Sequence, residues 1–172
     1  MNKNGLSGTS KSLIFILCAG LFAGVFIKLF VFDILHVSGH SMEPAIQDKS
    51  TLAVNKLAFG LAIPWSDHLL IQWHKPKPDD VIIYLYNNKI VVKRCVAVSG
   101  QLLEISSLPL YTLKVGDKNI PLTEEQFLKL QGCTSVPEGY FLAIGDNYEQ
   151  SVDSRDYGFV SERNVLGKVL CR

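Results

Sequence analysis

The feature that most constrains this chain is a long apolar stretch close to its N-terminus. Residues 13–27 carry no charged side chain, and the apolar run continues past Lys28 to Phe32. A helix of roughly 20 residues rises about 30 Å, which matches the hydrocarbon core of a bilayer. Lys28 lies near the far end, where its stem can extend to the headgroups. The stretch therefore predicts one transmembrane helix over residues 13–32.

The charges before this stretch predict its orientation. Lys3 and Lys11 precede the span, and positive charges are typical of the cytoplasmic side of a membrane. The predicted organisation is a cytoplasmic N-terminus over residues 1–12, an anchor over residues 13–32 and an extracytoplasmic domain over residues 33–172.

A cleaved signal peptide is the alternative interpretation of the same stretch. Ala19-Gly20 and Ala23-Gly24 are small residues of the kind found at cleavage sites. The apolar run continues well past both pairs, which favours an uncleaved, single-pass anchor.

Composition and charge exclude several classes of function. The 172 residues suffice for one domain and an anchor, and a formal net charge of +1 gives no electrostatic basis for binding nucleic acid. The four histidines are scattered and no Cys-X-X-Cys motif occurs, so we expect neither a metal site nor a cofactor. Cys18 lies in the predicted span. The spacing of Cys133 and Cys171 leaves open whether they form a disulfide.

Past the anchor, the sequence predicts a mainly β domain. Short apolar runs bounded by turn residues are typical of strands, and frequent prolines oppose long helices. Asn87-Asn88 predicts a turn between two such runs. Thr123, with Gln126 three residues later, predicts the start of a short helix over residues 123–130. Residues 57–65 are interpreted as an exposed apolar loop. The predicted strands are residues 51–54, 81–86, 89–98, 101–105 and 140–144.

Ser41 and Lys93 are the residues most indicative of chemistry. A serine hydroxyl is a weak nucleophile that needs a base, and no Ser-His-Asp pattern is evident. Lys93 lies in an apolar strand, where it shares a face with Val91 and Cys95 while Arg94 points to the other side. Apolar burial lowers the pKa of a lysine from its free value of about 10.4 and so favours the neutral amine. Taken alone, Ser41 is most simply interpreted as a loop serine and Lys93 as a surface lysine.

Several motifs in one order resemble those of the bacterial type I signal peptidases, and they cover nearly the whole chain after the anchor. Each of these motifs is called a box. The nucleophile box is residues 39–44, and the following box is residues 54–60 and continues to Pro64. The lysine box is Lys93-Arg94, and the last and most specific box comprises residues 137–141 and 145–160. The resemblance implies an antiparallel-sheet catalytic domain in a compact form with one anchor.

This resemblance implies a serine endopeptidase with a Ser-Lys dyad, without a cofactor. Its implied reaction is removal of N-terminal signal peptides from exported preproteins after Ala-X-Ala-type sites. The implied location is the bacterial cytoplasmic (inner) membrane, with the catalytic domain on the extracytoplasmic side. The implied partners are signal peptides and the lipid bilayer, not nucleic acid, and the enzyme is expected to be a monomer.

The resemblance also implies a role for each matched residue. Ser41 would be the nucleophile and Lys93 the general base, and Ser151 would orient the Lys93 amine. Asp153 and Arg155 would form an ion pair that braces the turn carrying Ser151. Shallow pockets for small side chains would be lined by Val37, Met42, Ile46, Leu52, Val91 and Val92.

The oxyanion hole is expected to rely on the backbone N–H of Ser41. Some members of the family have a serine two residues before the nucleophile, where this chain has Gly39. If residues 37–41 are extended, Ser38 points away and cannot substitute for that serine.

The chain departs from the family pattern in three places. Tyr148 follows Asn147 where arginine is common, Asp79-Asp80 replaces Gly-Asp, and residues 99–101 are Ser-Gly-Gln where Pro-Gly-Asp is common. Two other functions stay open: a specialised maturation peptidase, of the kind that processes conjugative pilins, and an inactive membrane-tethered binding protein. The self-cleaving SOS repressors are related in fold, but the anchor and the absence of a DNA-binding segment argue against that role.

Overall fold

The N-terminal helix and the strand that follows it form one continuous segment. The computed structural model describes residues 8–62 and 68–171. Helix α1 (Gly8–Phe26) continues as a π-helical turn (Ile27–Val31), and strand β1 (Phe32–His36) begins at the next residue. The helix thus ends one residue before the end of the predicted span, because Phe32 already pairs with Asn55.

Helix α1 has the length and composition of a membrane-spanning segment. Residues 11–31 have a mean hydropathy of 2.5, and none of this segment is buried against the rest of the protein. Phe15, Leu17, Leu21 and Phe22 are each more than 70% exposed. Exposed apolar side chains all round a helix are typical of a membrane span.

The prediction of a mainly β, antiparallel fold is confirmed. In the described part of the chain, a seven-stranded antiparallel sheet has the order β1-β2-β12-β5-β6-β10-β11. A hairpin of β3 and β4 and a three-stranded sheet of β7, β8 and β9 accompany it. The strands after β1 are β2 (Thr51–Asn55), β3 (Gly60–Ala62), β4 (Leu69–Gln72), β5 (Val81–Tyr86), β6 (Lys89–Val98), β7 (Glu104–Ser106), β8 (Thr112–Val115), β9 (Lys118–Pro121), β10 (Tyr140–Ile144), β11 (Val160–Ser161) and β12 (Val165–Cys171).

Local sequence signals predicted several elements correctly. Strands β2, β5, β6 and β10 lie where they were expected, and Asn87 and Asn88 adopt the positive φ angles that a tight hairpin turn needs. Helix α2 (Glu124–Leu130) has the predicted capping box between Thr123 and Gln126. Two short helical elements were not predicted: α3 (Ser154–Tyr157) and a 3₁₀ turn (Glu162–Asn164).

Two predictions about local structure were wrong. The strand predicted over residues 101–105 begins only at Glu104, because Leu102 instead makes an isolated bridge with Ser135. The segment from residue 57 is not simply an exposed loop, since Phe59 is 3% exposed and β3 follows it. Residues 63–67, including Pro64 of the predicted motif, lie outside the described residues.

The core is divided by the main sheet. Ile82 and Tyr84 of β5 belong to one buried cluster, and Ile83 between them belongs to another, as the alternation of a strand requires. A third cluster joins β6 and β10 to the β7–β9 sheet and α2. Cys133, at the edge of this third cluster, is a free cysteine. The two faces of β6 therefore contact different parts of the molecule.

Candidate active site

Lys93 is a buried residue in the middle of the main sheet. It lies directly opposite Ile82 of β5 and shares that residue's face of the sheet with Cys95. The side chain is 3% exposed, and its Nζ donates a hydrogen bond of 2.9 Å to Ser151 Oγ. The apolar strand pattern thus buries this amine, and Ser151 is its one hydrogen-bond partner among the described residues.

Ser151 belongs to a tightly bonded turn before helix α3. Its hydroxyl donates to Asp153 Oδ2 at 2.5 Å, and the same oxygen accepts from the backbone N–H of Gly145 at 3.0 Å. Asp153 is the N-cap of α3 and also accepts from the backbone N–H of Arg155. Short polar N-caps of this kind begin a helix where the chain would otherwise leave N–H groups unpaired.

The ion pair between Asp153 and Arg155 is fully enclosed. Asp153 is 0% exposed and Arg155 is 2% exposed, with 2.9 Å between Arg155 Nε and Asp153 Oδ1. The guanidinium also donates to the carbonyl oxygens of Pro121, Tyr148 and Ser151. A buried ion pair needs such additional partners to offset its loss of hydration.

The electrostatic setting of Lys93 favours its neutral form. Burial lowers the pKa of the amine below the ordinary lysine value, and the nearby Arg155 guanidinium lowers it further. The carboxylates of Asp153, Asp156 and Asp146 act in the opposite direction and raise that pKa. Burial is the largest of these influences, so the net shift is downward and a neutral amine is accessible at lower pH.

Ser41 lies in a bent loop, which corrects the expectation of an extended segment over residues 37–41. Gly39 has a φ of 112°, a backbone conformation that residues other than glycine rarely adopt. Its N–H donates to Asp48 Oδ1 at 2.8 Å. His40 Nδ1 contacts Glu43 Oε1 at 2.9 Å on the exposed side of the loop. The chain therefore turns sharply just before the serine, and the face alternation of a strand does not apply there.

The turn after β10 holds the loop around Ser41, the candidate nucleophile loop, against Ser151. Asn147 donates its backbone N–H to Ser41 O and its side-chain amide to His40 O, both at 3.1 Å. A Cβ on Gly145 would lie 2.3 Å from both Ser41 O and Ser151 Oγ. These two oxygens therefore lie within twice that distance of each other, and only glycine fits between them.

Ser41 keeps the groups needed for nucleophilic attack free of internal bonds. Among the described residues, neither its hydroxyl nor its backbone N–H has a hydrogen-bond partner, and no hydrogen bond joins Ser41 to Lys93. Catalytic hydrogen bonds are often long or poorly aligned without substrate. The arrangement brings Ser41 close to Ser151 and leaves the Ser41–Lys93 contact to be made.

The six predicted pocket residues are not gathered on one surface. Three of them are core side chains, each no more than 3% exposed: Met42, Ile46 and Leu52. Val37 and Val92 pack against that cluster and stay partly exposed. Val91 packs against a different cluster, on the face of β6 that carries Lys93. Val37 and Val92 remain candidate pocket walls, and the three buried residues pack beneath them.

Two structural roles of Arg94 were not assigned from the sequence. Arg94 makes a two-pronged ion pair with Asp146, with distances of 2.8 and 2.6 Å, and donates to Asp79 O. Asp79 has a φ of 73°, which explains why glycine is usual at this position. The opposite charges of Arg94 and Asp146, both inside matched boxes, were the available signal for the ion pair.

In the part of the chain that the structure describes, no group of three or more His, Cys, Asp or Glu side chains is placed to hold a metal ion.

The chain is similar in sequence to known signal peptidases. The family model described as signal peptidase, peptidase S26, matches residues 9–172. The signal peptidase I of Bacillus caldolyticus is 34% identical over 148 residues, which cover 83% of this chain and 80% of that protein. A probable signal peptidase I-1 of Synechocystis sp. is 26% identical over 94% of this chain and 81% of that protein. A solved signal peptidase I from Enterococcus faecalis has a TM-score of 0.40 at 27% identity, over 56% of this chain and 97% of that one.

The match to the family model covers almost the whole chain, and the first of these relatives shares a third of its residues over most of both sequences. The resemblance inferred from the separate motifs is thereby confirmed. The chain belongs to the signal peptidase family, peptidase S26, and is a serine peptidase.

Proposed function

We propose that the chain is a membrane-anchored signal peptidase in which Ser41 is the nucleophile and Lys93 the general base. Its substrates are exported preproteins, cut after Ala-X-Ala-type sites at the end of the signal peptide. The observation that carries the proposal is the Lys93 amine, which is 3% exposed and lies 2.9 Å from Ser151 Oγ. Burial favours the neutral amine, and only that form can accept a proton from serine.

The hydrogen-bond directions around Ser151 support this role for Lys93. The Ser151 hydroxyl donates its proton to Asp153, so its oxygen is free to accept an N–H from Lys93. One N–H of a neutral amine is then fixed toward Ser151. The lone pair of Nζ points elsewhere and is available for the Ser41 proton.

Acylation would then proceed as follows. The Ser41 proton moves to Lys93 Nζ as Oγ bonds to the scissile carbonyl carbon, and the carbonyl electron pair shifts to oxygen. When the C–N bond breaks, the Lys93 ammonium gives its proton to the leaving amine, which is the new N-terminus of the mature protein. The signal peptide remains as an ester on Ser41. A water molecule then gives a proton to Lys93 Nζ and attacks the ester carbon. When the bond from that carbon to Ser41 Oγ breaks, Lys93 passes the proton to Ser41 Oγ, and the signal peptide leaves with a free carboxyl group.

The backbone N–H of Ser41 is the candidate donor to the oxyanion. It has no partner among the described residues, so a substrate oxygen can bind it without displacing an internal bond. The positive φ of Gly39 and its bond to Asp48 fix the direction of the chain just before this N–H. A donor that is oriented before the reaction stabilises the developing charge without reorganisation.

The preference for small side chains before the cut has a matching feature. Val37 and Val92 are partly exposed and rest on the packed cluster of Met42, Ile46 and Leu52. A pocket with a close-packed floor cannot deepen to admit a large side chain. Alanine-sized groups fit such a site best.

Membrane anchoring through residues 13–32 is supported by helix α1, whose apolar side chains are exposed. Lys3 and Lys11 favour a cytoplasmic N-terminus and an extracytoplasmic domain from residue 33, in the bacterial inner membrane. The main sheet begins where the helix ends, because Val31 O accepts a hydrogen bond from the backbone of Lys56. The catalytic domain would therefore lie close to the membrane surface, where a signal peptide ends.

The direct test is to incubate the detergent-solubilised protein with a secretory preprotein and to determine the N-terminus of the product. We expect one cut after an Ala-X-Ala site. Ser41→Ala and Lys93→Ala should each abolish the cut with the fold intact, and the double variant should be no worse, because residues that act in one step are non-additive. A tenth of the wild-type rate in either single variant contradicts the dyad. Cleavage of a conjugative pilin precursor alone would instead favour a specialised maturation peptidase.

A separate experiment tests the orientation. Protease added to intact spheroplasts should degrade the domain that follows residue 32. Protection of that domain until the membrane is broken would contradict the proposed topology.

A further inference from the structure

Helix α2 holds Asp156 at two points, and a third bond ties this residue to the start of α3. Gln126 Nε2 donates to Asp156 Oδ1 at 2.8 Å, and Lys129 Nζ, one helical turn later, donates to Asp156 O at 2.8 Å. The other carboxylate oxygen, Oδ2, accepts the backbone N–H of Asp153 at 2.9 Å. Asp156 therefore connects α2 to the turn that carries Ser151.

A series of hydrogen bonds leads from Asp156 through Asp153 and Ser151 to Lys93, the proposed general base. Asp153 accepts from the Ser151 hydroxyl at 2.5 Å, and Ser151 accepts from Lys93 Nζ at 2.9 Å. We propose that Gln126 is a positioning residue for catalysis, which fixes Asp156 and through it the orientation of Ser151 toward the Lys93 amine. The inference rests on the proposed role of Lys93 as general base.

Helix α3 needs support of this kind because it is only four residues long. A helix of one turn is not stable by itself, so its position depends on tertiary contacts. Gln126 is 6% exposed, and water cannot readily replace its bond to Asp156. A loosened α3 would let the Ser151 hydroxyl move relative to Lys93, and small displacements of catalytic groups cost large factors in rate.

The neutrality of Gln126 is part of the inference. The charged groups that act on Lys93 are Asp153, Arg155 and Asp156 around α3, and Asp146 after β10. The amide of Gln126 fixes the carboxylate of Asp156 without adding a further charge near the amine. A carboxylate at the same position would repel Asp156 and would favour the protonated form of Lys93.

Gln126→Glu is the decisive variant because it changes so little else. Glutamate keeps the side-chain oxygen that accepts the Thr123 N–H, so the capping box of α2 survives. It loses only the donor to Asp156 and brings two carboxylates together. We expect kcat to fall about tenfold with KM unchanged, and the acidic limb of the pH profile to move to higher pH.

The double variant Gln126→Glu/Asp156→Asn should restore the contact. The introduced asparagine can donate its amide to the introduced glutamate while its oxygen accepts the Asp153 N–H, and the net charge returns to that of the wild type. We expect kcat and the pH profile to recover to within about threefold of wild type, as coupled neighbours require. Gln131→Glu is the matched control, since it adds the same charge on an exposed side chain after the end of α2 and should leave both unchanged.

Wild-type kcat in Gln126→Glu, or no recovery in the double variant, would overturn the inference. Should Gln126→Glu not fold, Lys129→Met removes the bond to Asp156 O from an exposed side chain and should lower kcat about threefold. An unchanged kcat in Lys129→Met would also overturn the inference.

Thermal unfolding separates this inference from the proposed function. The wild type, Gln126→Glu, Asp156→Asn and the double variant together measure the coupling of residues 126 and 156 without any cleavage. Coupling without cleavage by the wild type would reject the proposed function, whereas cleavage without coupling would reject only the role of Gln126.

Discussion

The two halves of the candidate dyad are built in opposite ways. Around Lys93, the side chains of Ser151, Asp153 and Arg155 are buried and each is bonded to the next. Around Ser41, the loop is held by backbone bonds, by the side chains of Asp48 and Asn147, and by an exposed contact between His40 and Glu43. The proposed base half is thus fixed by internal bonds, while the proposed nucleophile half leaves the Ser41 hydroxyl and backbone N–H without a partner among the described residues.

This difference follows from what each half must do. A lysine acts as a base only if protein atoms replace water around it, which requires a closed and fully bonded setting. In the proposed mechanism the serine must instead reach a substrate carbonyl and donate its N–H to the oxyanion, so partners inside the protein would compete with the reaction. Changes in each half, and at the junction between them, test this comparison.

The largest expected effect is on the stability of the base half. Asp153→Ala leaves Arg155 buried without its carboxylate partner, and losing one member of a buried pair costs about 3–5 kcal/mol of unfolding free energy. Glu43→Gln, which removes the charge of the exposed pair in the other half, should barely change the unfolding midpoint. Denaturant unfolding of both variants measures the contrast. Equal losses in the two would contradict the difference drawn between the halves.

Gly145→Ala should separate the Ser41 loop from the turn that carries Ser151. The new methyl would lie 2.3 Å from both Ser41 O and Ser151 Oγ, so one loop must move away from the other. We expect kcat/KM to fall about 100-fold with little change in the secondary structure. Gly132→Ala, where a Cβ meets nothing within 4 Å, is the control. Near-wild-type cleavage by Gly145→Ala would mean that the two loops can separate without cost.

The pH dependence should reveal the buried amine. Because burial lowers the pKa of Lys93, kcat/KM should rise about tenfold per pH unit and level off below the ordinary lysine value of about 10.4. A flat profile, or full activity of Lys93→His at pH 6, would argue for another base.

The same shift has a consequence for stability, which Lys93→Met measures. A lysine whose pKa is lower in the folded state adds stability above its unfolded pKa and loses it as the pH falls toward the folded value. The unfolding midpoint of Lys93→Met relative to wild type should therefore be higher at pH 7 than at pH 10.5. The opposite trend would show that the folded protein favours the charged amine.

The smallest expected effect is in the nucleophile loop. Gly39→Ala places a residue with a Cβ at a φ of 112°. This strained backbone conformation should lower the free energy of unfolding by about 1–3 kcal/mol. Space is not the obstacle, since a Cβ there would meet nothing within 4 Å. Ser38→Ala at the neighbouring position should reduce kcat/KM less than about tenfold. A loss near 100-fold for Ser38→Ala would identify its hydroxyl as the oxyanion donor.

Much of the local structure was predictable because it depends on neighbours in the sequence. The Asn87-Asn88 turn, the capping box of α2 and the alternation along β6 each involve residues only a few positions apart. The fate of Phe59 was not predictable in this way. An apolar side chain after a strand can lie in a loop or in the core, and its burial depends on β4 and β5 closing around it.

The pocket residues show the same limit. The sequence identified Met42, Ile46 and Leu52 as apolar side chains near the nucleophile. Whether such a side chain lines a pocket or fills the core depends on what covers it, and here Val54 and Ile83 join it in one buried cluster. Apolar character is local, whereas exposure is decided by the assembled sheet.

The sequence by itself determined the apolar N-terminal segment, the β class, the order of the motifs and the identity of the candidate serine and lysine. The tertiary structure decided which groups meet: Lys93 with Ser151, Gly145 between the two loops, and Gln126 with Asp156. The physical reason is that strand alternation fixes the face of a side chain but not its partner. Partners 30 or more residues apart in sequence are set by strand register and by the packing of α2 on α3, which exist only in the folded chain.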